Sequence, residues 1–288
     1  MSALAVVKPL DIPTLREAMI AGGDAVHFVA GGTDLLVGRR LPPDGILIDL
    51  SRVAGLASIS ARVGDIRIGA ATTLTALAAN PELRGRLAAL TAAAEQCGSV
   101  QIRNRATIGG NIANAAPAAD LVTVLIAAEA RLALMKRDGS RHEAALADYL
   151  RGSKCLVTEI VLPEAALLPR SAFAKLGSRS HLTISRLNLT LFAEFDGAYF
   201  GRVKLAAGAI GPMPRKLDRA AAALEHRRLE VLTLRDFLSA LVAEVDAAIP
   251  ARASLRYKRR AVGGLALELV AEIAGLDPRE PIFEEAIA

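Results

Sequence analysis

The strongest constraint on the fold is a long alternation of apolar and polar residues in the second half of the chain. It runs over residues 185–195, pauses at Asp196–Gly197 and returns over residues 203–210. Two runs with a period of two, joined by an AspGly turn, predict a long β-hairpin. Apolar residues at helical spacing follow at 233–247 and about 253–274. Strands that are grouped with terminal helices predict an α+β fold.

Shorter strands and helices alternate in the first half of the chain. Residues 26–29, 46–50 and 65–70 are apolar or alternating runs that are typical of strands. Pro13 suits the first turn of a helix, and Gly22–Gly23 can end that helix. The beginning of the chain therefore has a β-α-β outline.

A polar stretch over residues 99–120 separates the regular elements that follow. Its irregular pattern of Gly, Asn, Thr and Ala is too long and too specific in composition for a simple connection. We divide the chain into three segments, 1–55, 56–168 and 169–288. The elements predicted around the polar stretch are helices over residues 74–79 and 85–97 and strands over residues 130–135 and 156–162.

Composition and charge narrow the classes of protein. Hydrophobic residues make up 52% of the 288, which is enough for a large core and argues against disorder. The net charge is +5, but the 35 basic and 30 acidic residues are mostly interspersed, so nucleic-acid binding is not expected. We interpret the basic cluster Arg256–Arg260 as a solvated helix face or a subunit contact.

Membrane spans, secretion and metal sites are not expected either. No run of about 18 apolar residues is present, and the N-terminus lacks the pattern of a secretory signal. Cys97 and Cys155 stand far apart, so the chain cannot hold an iron–sulfur cluster by itself. We expect both thiols to be buried rather than bridged, in a reduced, cytoplasmic setting. The histidines are scattered and predict no metal site; they are His27, His142, His181 and His226.

Two short loops share one design. Residues 30–36 read AlaGlyGlyThrAspLeuLeu directly after a strand, and residues 107–114 read ThrIleGlyGlyAsnIleAlaAsn. Glycine permits φ > 0 and lets a ligand approach the backbone closely. Successive amides can then converge on an anion. A single loop of this kind is usually a turn, but two of them can clamp one diphosphate from opposite sides.

Better-known nucleotide and catalytic motifs are absent. The first strand is not followed by GxGxxG, and the chain has no GxxxxGK[ST]. HExxH and GxSxG are also missing. A Rossmann dinucleotide fold, a P-loop, a zinc protease and a serine hydrolase are therefore not supported.

Five motifs occur in an order that resembles one known family. They are AlaGlyGlyThrAspLeuLeu at 30–36, IleGlyAlaAlaThrThrLeu at 68–74, the block beginning GlnIleArgAsnArgAlaThrIleGlyGlyAsn at 101–121, PheAlaLysLeuGlySerArg at 173–179, and GlyAlaIleGlyProMetPro at 208–214. Through nearly its whole length, the chain resembles the FAD-binding medium subunit of the xanthine dehydrogenase and carbon monoxide dehydrogenase family of molybdenum hydroxylases. The block at 101–121 is the most specific of the motifs.

The resemblance implies both a fold and a cofactor. The first two segments would form a two-part FAD-binding domain of the vanillyl-alcohol-oxidase (PCMH-like) type. The third would be the C-terminal α+β domain of the carbon monoxide dehydrogenase flavoprotein type, with an antiparallel sheet and terminal helices. The residues expected to bind FAD are Val29, Ala30, Gly31, Gly32, Thr33, Asp34, Leu35, Leu36, Gln101, Ala106, Thr107, Gly109, Gly110, Asn111, Asn114, Asp120, Ile160 and Lys175.

Several of these residues have competing interpretations. Asp120 matches an acidic residue near the isoalloxazine, but it could equally cap the apolar helix that follows. Lys175 matches a lysine whose charge would raise the flavin potential; the alternative is a surface lysine with its stem along the protein. Ile160 is expected to pass the flavin through backbone contacts. Arg179 and His181 could face an electron acceptor or could be solvated loop residues.

The resemblance also implies partners and an activity. Electrons from a molybdenum centre would pass through [2Fe–2S] clusters to FAD and then to an external acceptor. We therefore expect a small [2Fe–2S] subunit and a large molybdopterin subunit, assembled as a dimer of heterotrimers. With two cysteines, the chain departs from the benzoyl-CoA-type branch, whose flavin subunit carries a cluster. The alternatives are a free-standing flavin-dependent oxidase and a non-catalytic assembly or nucleic-acid-binding protein.

Overall fold

The computed structural model describes residues 4–37, 41, 43–179 and 183–287. Among these residues, the strands in chain order are β1 (Ala5–Val7), β2 (Val26–Val29), β3 (Ile46–Asp49), β4 (Ile59–Arg62), β5 (Asp65–Gly69), β6 (Arg131–Met135), β7 (Arg141–Ala145), β8 (Leu156–Pro163), β9 (Arg170–Leu176), β10 (Leu187–Phe195), β11 (Phe200–Gly208) and β12 (Arg215–Lys216). The α-helices are α1 (Ile12–Gly22), α2 (Leu74–Ala79), α3 (Pro81–Arg86), α4 (Ala88–Glu95), α5 (Val100–Arg103), α6 (Ile108–Asn114), α7 (Asp120–Ala127), α8 (Leu146–Tyr149), α9 (Asp218–Leu224), α10 (Val231–Ala248), α11 (Leu255–Ala274) and α12 (Pro281–Ile287).

The chain forms two compact units, each made of three separate stretches of sequence. Unit 1 contains residues 1–77, 99–115 and 129–164. Unit 2 contains residues 78–98, 116–128 and 165–288.

Unit 1 begins with a small parallel sheet. In the described part of the chain its strand order is β1-β3-β2, with β3 parallel to both neighbours. The helix between β1 and β2 begins where Asp11 accepts a hydrogen bond from the Thr14 amide at 2.8 Å, with Pro13 in its first turn. Its apolar side packs on the sheet because Leu15 is fully buried in the same cluster as Ile48.

The second sheet of unit 1 carries antiparallel strands. Their order is β4-β5-β8-β6-β7 in the described residues, so β8 lies in the middle. The hairpin of β6 and β7 turns at Asp138–Gly139, where Gly139 has φ +78° and the Ser140 amide donates to Asp138 at 2.8 Å. The central position of β8 agrees with the burial of six of its eight residues.

Unit 2 is built on the antiparallel sheet β12-β11-β10-β9, as far as the structure describes it. At the hairpin turn, Asp196 accepts hydrogen bonds from the amides of Ala198 and Tyr199, at 2.9 and 2.7 Å. Alternate residues of β10, such as Leu189, are fully buried in one core with Phe237 of α10. Helix α7 contacts β10 and β11, and all eight of its residues are buried.

Most of the predicted elements are confirmed. The long hairpin, its AspGly turn and the strands at 26–29, 46–49 and 65–69 are present, as is the helix over 74–79. The α+β fold is also confirmed. The predicted helix at 233–247 is α10, which is slightly longer than predicted. The predicted helix at about 253–274 is α11, which begins slightly later than predicted. The sequence patterns missed α9 and α12, which are only seven residues each.

The prediction of one helix over residues 85–97 is wrong. Two helices, α3 and α4, cover this region. The first begins at Pro81 because Asn80 caps it by accepting from the Leu83 amide at 2.9 Å. Leu87 separates the two helices with φ −150° and ψ 57°, a non-helical conformation. Pro81 therefore opens a helix of its own, directly after α2 ends at Ala79.

The polar stretch at 99–120 is also more regular than predicted. It contains the short helices α5 and α6, capped by the side chains of Ser99 and Thr107. The paired glycines inside α6 concealed it, because glycine disfavours a helix interior. The two cysteines are free, as expected, but each is only partly buried.

Candidate cofactor-binding site

The first glycine loop lies in unit 1, directly after β2. Gly32 has φ +69°, a conformation that glycine adopts at low cost. A Cβ atom on Gly31 would lie 1.9 Å from the carbonyl oxygen of Arg105. Arg105 also donates from Nε to the Gly31 carbonyl at 3.2 Å. Gly31 is therefore the point at which the loop meets the segment that leads into the second glycine loop.

The second glycine motif, residues 107–114, forms α6 and its cap, and the motif at residues 68–74 holds it in place. The Gly109 amide donates to the Ala70 carbonyl at 2.8 Å, and the Ile108 amide donates to the Thr72 carbonyl at 3.0 Å. A Cβ atom on Gly109 would lie 2.6 Å from the Cβ of Ala70. Unit 1 thus brings together three motifs that are separate in sequence.

Several polar groups at these loops have no protein partner. Among the described residues, the amides of Gly31, Gly32 and Thr33 donate no hydrogen bond. The Oδ1 atom of Asn111 is buried and accepts none within the described chain. A Cβ atom on Gly110 would have one neighbour within 4 Å among the described residues, the capping hydroxyl Thr107 Oγ1 at 3.0 Å. A buried atom without a partner, such as Asn111 Oδ1, calls for an explanation such as a ligand, and neighbouring open amides suit an anion.

The other predicted residues of unit 1 differ in how accessible they are. Gln101 is exposed on α5, and Asn114 is exposed at the end of α6. Ala106 is partly buried, and its carbonyl accepts from the Leu74 amide at 2.9 Å. Ile160 is fully buried in β8, where it pairs with Ile68 on one side and Leu132 on the other. Its side chain is therefore a core residue.

A second group of predicted residues lies in unit 2. Lys175 of β9 and Asp120 of α7 form an ion pair with Nζ and Oδ2 2.8 Å apart. Their side chains are only 8% and 6% exposed. Ser185 and Asn188 both donate to Asp120 Oδ1, at 2.5 and 2.8 Å. Both carboxylate oxygens of Asp120 are thus engaged by side chains from β9, from β10 and from the segment that enters β10.

Lys175 is oriented by two further acceptors. Its Nζ donates to the Gln96 carbonyl at 2.6 Å and, weakly, to the Thr183 carbonyl at 3.5 Å. Two alternative interpretations are thereby wrong. Lys175 is not a surface lysine, and Asp120 does not cap α7, whose N-cap residue is Ala119.

Sequence reasoning missed the polar partners of this pair. Ser185, Asn188 and Thr123 belong to the network, in which Thr123 donates to Asn188 at 2.8 Å. One signal was available: Asn188 and Thr123 are polar residues inside apolar runs, and buried polar residues need partners.

A cleft of about 260 Å³ lies beside Lys175. Its lining comes from unit 2, and Arg179 is one exposed member. His181, the other candidate to face an acceptor, lies outside the described residues. The lining residues are Gln96, Lys175, Leu176, Gly177, Ser178, Arg179 and Thr183.

Comparison with protein families identifies the chain. The profile described as "FAD binding domain in molybdopterin dehydrogenase" matches residues 2–165. The profile described as "CO dehydrogenase flavoprotein C-terminal domain" matches residues 172–273. The chain belongs to the FAD-binding subunits of the molybdenum hydroxylase family. The predicted family and its cofactor, FAD, are confirmed, and so is the assignment as an oxidoreductase subunit.

Similar proteins include FAD-binding subunits from different bacteria. The nicotinate dehydrogenase FAD-subunit of Eubacterium barkeri is 31% identical over 260 residues, which are 85% of this chain and 87% of that protein. The xanthine dehydrogenase FAD-binding subunit of Escherichia coli O157:H7 is 28% identical over 271 residues, or 90% and 93%. These proteins are subunits, and the chain spans most of their length.

Solved structures show the same fold. A chain of carbon monoxide dehydrogenase from Hydrogenophaga pseudoflava aligns with a TM-score of 0.83 at 23% identity, covering 95% of this chain and 98% of that one. A chain of quinoline 2-oxidoreductase from Pseudomonas putida 86 aligns with a TM-score of 0.80 at 18% identity, covering 94% and 98%. The fold of this FAD-binding subunit is thus shared by members with low identity.

The residues of unit 1 fit the cofactor of the family. The open amides at Gly31–Thr33 suit a diphosphate. The unpartnered Asn111 Oδ1 can accept a hydrogen bond from a ribose hydroxyl or an amino group. Among the described residues, no three His, Cys, Asp or Glu side chains gather as a metal site, and no described helix has the length and apolar character to cross a membrane.

Proposed function

We propose that this subunit accepts electrons from [2Fe–2S] clusters of a partner subunit and passes them, through FAD, to an external acceptor. FAD, when bound, supplies the ability to take up two electrons and release them. The observation that carries the proposal is a set of polar groups in unit 1 without a hydrogen-bond partner among the described residues: the amides of Gly31, Gly32 and Thr33 and the buried Oδ1 atom of Asn111. These groups suit a dinucleotide rather than an organic substrate.

Most of the predicted FAD-binding residues of unit 1 have a role in this proposal. The amides of the first loop would bind the pyrophosphate, and Val29–Ala30 and Asp34–Leu36 would hold that loop in place. In the second glycine motif, Thr107 caps α6 by accepting a hydrogen bond from the Gly110 amide at 3.1 Å. Gly110 leaves room for the ligand. We expect Gln101 and Ile160 to line the path of the flavin.

Asp120 and Lys175 would act on the flavin ring. The weakest of the three hydrogen bonds from Lys175 Nζ is the one to Thr183, at 3.5 Å, and a ring oxygen can replace it. The Lys175 cation would then favour the electron-rich reduced ring, although Asp120 offsets part of its charge. The hydrogen bonds from Ser185 and Asn188 keep the Asp120 carboxylate in place for this purpose.

The proposal includes partners. We propose a small [2Fe–2S] subunit and a large molybdopterin subunit, arranged as a dimer of heterotrimers. Cys97 and Cys155 are too few to ligate a [2Fe–2S] cluster, which supports the assignment of the clusters to a partner subunit. Both cysteines are free, which suits a reducing, cytoplasmic location.

The test is isolation of the native complex from its host, with acid-released cofactors identified by mass spectrometry. FAD, molybdopterin and iron that purify with this chain and two other polypeptides would support the proposal. FAD bound to a solitary chain would point instead to a free-standing flavin-dependent oxidase. A well-folded native complex without flavin would contradict the proposal.

A further inference from the structure

Positive charge is concentrated around the N-terminal part of α11, although this charge does not stabilise the helix. Residues 247–267 contain five Arg or Lys residues and no Asp or Glu. Arg256 and Lys258 lie in the first turns of the helix, where the positive end of the helix dipole disfavours cations. Residues that destabilise the helix in which they lie often belong to a functional site.

The exposed cations of this region form one surface. Arg256 and Arg260 are four residues apart and therefore lie on the same side of α11. Arg252 precedes the helix by one turn, and the guanidinium of Arg186 lies 5.9 Å from the centre of the Tyr257 ring. We name the surface formed by Arg186, Arg252, Arg256, Tyr257 and Arg260 the arginine surface.

The charges of the arginine surface are not compensated within the described chain. None of its four arginines forms an ion pair with a described residue, whereas the neighbouring Arg259 lies 3.5 Å from Asp246. Lys258 lies beneath the surface, only 6% exposed, and donates to the carbonyl of Ala209. The described neighbourhood therefore carries an excess of positive charge.

Apolar groups are exposed within the same surface. Tyr257 is 41% exposed, and Ile184 is 82% exposed two residues before Arg186. Ser185, which lies between Ile184 and Arg186, is buried and donates to Asp120. Arginine and tyrosine beside an exposed aliphatic side chain are the residues that dominate protein–protein interfaces.

We propose that the arginine surface docks the acidic face of a partner protein. Arginine pairs with carboxylates through two parallel hydrogen bonds, so Asp and Glu side chains are the expected counterparts. Tyr257 and Ile184 add apolar contacts that a nucleic-acid backbone would leave unused. The bound partner would lie over the 183–186 segment, whose inner side contacts the buried Lys175–Asp120 pair. The proposal does not depend on the identity of the cofactor.

The experiment is photo-crosslinking in the native host with full-length chain. Tyr257→p-benzoylphenylalanine keeps an aromatic ring at the centre of the surface. We expect irradiation to join it to a peptide rich in Asp and Glu from a protein that purifies with this chain. The same replacement at Tyr199, which is 51% exposed elsewhere in unit 2, is the control and should give no such product.

Charge variants decide whether the arginines are responsible. In an Arg186→Gln, Arg256→Gln, Arg260→Gln background the acidic crosslink should fall roughly tenfold, as expected for lost charge pairs. Arg219→Gln removes an exposed charge from the first turn of α9 and should leave the yield unchanged. If the triple variant does not fold, the chain that carries only the Tyr257 replacement is tested at two salt concentrations. Raising the salt from about 50 to 500 mM should reduce its crosslink, because salt screens exposed charges.

Several outcomes would overturn the proposal. A crosslinked peptide without clustered Asp or Glu would do so, as would a product with nucleic acid or lipid. The absence of any crosslink in an intact native complex would also count against it. A yield that is unchanged both in a folded triple variant and at high salt would show that the arginines do not bind the partner.

Discussion

Lys175 and Asp120 form a buried ion pair that joins β9 to the first turn of α7, with 2.8 Å between Nζ and Oδ2. A buried pair resists the loss of one member, because the remaining charge stays out of water without its counterpart. The pair therefore holds α7 to β9 within unit 2, and it is also a candidate for contact with the flavin.

Removal of one partner should destabilise unit 2. We expect Lys175→Met to lower the free energy of unfolding by about 3–5 kcal/mol, since Asp120 would remain buried without its cation. The double variant Lys175→Met, Asp120→Asn should lose less than the sum of the two single changes. Urea denaturation of the four proteins measures this coupling, and strictly additive effects would contradict it.

Lys175 should also affect the bound flavin. We expect Lys175→Ala to lower the reduction potential of FAD by about 30 mV or more, equivalent to about 1.4 kcal/mol for a two-electron couple. The cause is the loss of a cation that favours the reduced ring. Redox titration of the FAD-loaded protein is the measurement, with exposed Lys154→Ala as control. An unchanged potential would exclude this role for Lys175.

Gly110 offers a test of cofactor binding that spares the fold. A Cβ atom at this position has one neighbour within 4 Å among the described residues, Thr107 Oγ1 at 3.0 Å, and a small shift of that hydroxyl relieves the contact. Gly110→Val should therefore fold but obstruct the ligand. We expect the Kd for FAD to rise at least about tenfold, or about 1.4 kcal/mol. Gly85→Val is a matched control, because Gly85 is also helical and has open space around it. Equal FAD affinity in the two variants would refute a ligand at Gly110.

Gly31 should behave differently from Gly110. In Gly31→Ala the new Cβ would lie 1.9 Å from the Arg105 carbonyl, so the two loops must separate. We expect a loss of unfolding free energy of about 2 kcal/mol or more from this overlap. Gly110→Ala should cost much less. Thermal unfolding of the two apo-proteins distinguishes the effects, and equal midpoints would be inconsistent with the contact between the loops.

The buried Lys258 predicts a dependence of stability on pH. Burial, and next the charge of Arg252, lower the pKa of Lys258 below its ordinary value of 10.5. The unfolded chain therefore binds more protons at this residue, and its contribution to stability rises with pH between the lowered pKa and 10.5. Relative to Lys258→Met, the wild type should gain stability from pH 8 to pH 10 in urea denaturation. A constant difference would contradict the lowered pKa.

The first glycine loop could be predicted from the sequence because its chemistry is local: Gly31, Gly32 and Thr33 form a tight loop whose amides donate no hydrogen bond within the described chain. The same pattern at residues 109–111 lies inside α6 instead, where the Gly109 and Gly110 amides are hydrogen-bonded. The contact between Gly31 and Arg105 could not be predicted in the same way, since it joins residues 74 positions apart. That both motifs serve one ligand was suggested by their shared design and by the resemblance to a family, and it stays a prediction.

The environment of Asp120 shows a second limit. An aspartate before an apolar run suits a helix cap, and only the fold reveals that its carboxylate turns toward a lysine 55 positions away. The break at Leu87 is similar, because Leu87 is a fully buried apolar residue whose sequence gives no sign of a helix end. In both cases tertiary packing overrides a local preference.

The interleaving of the two units has a consequence for synthesis of the chain. Unit 1 is complete once residue 164 has left the ribosome, but α4 and α7 belong to unit 2 and pack on β9–β11, which emerge later. The apolar surface of α7, buried along its whole length in the finished protein, stays uncovered during that interval. A nascent chain halted just after residue 164 would therefore contain all of unit 1 but leave the apolar surfaces of α4 and α7 uncovered, so we expect this stage of synthesis to be the most prone to aggregation.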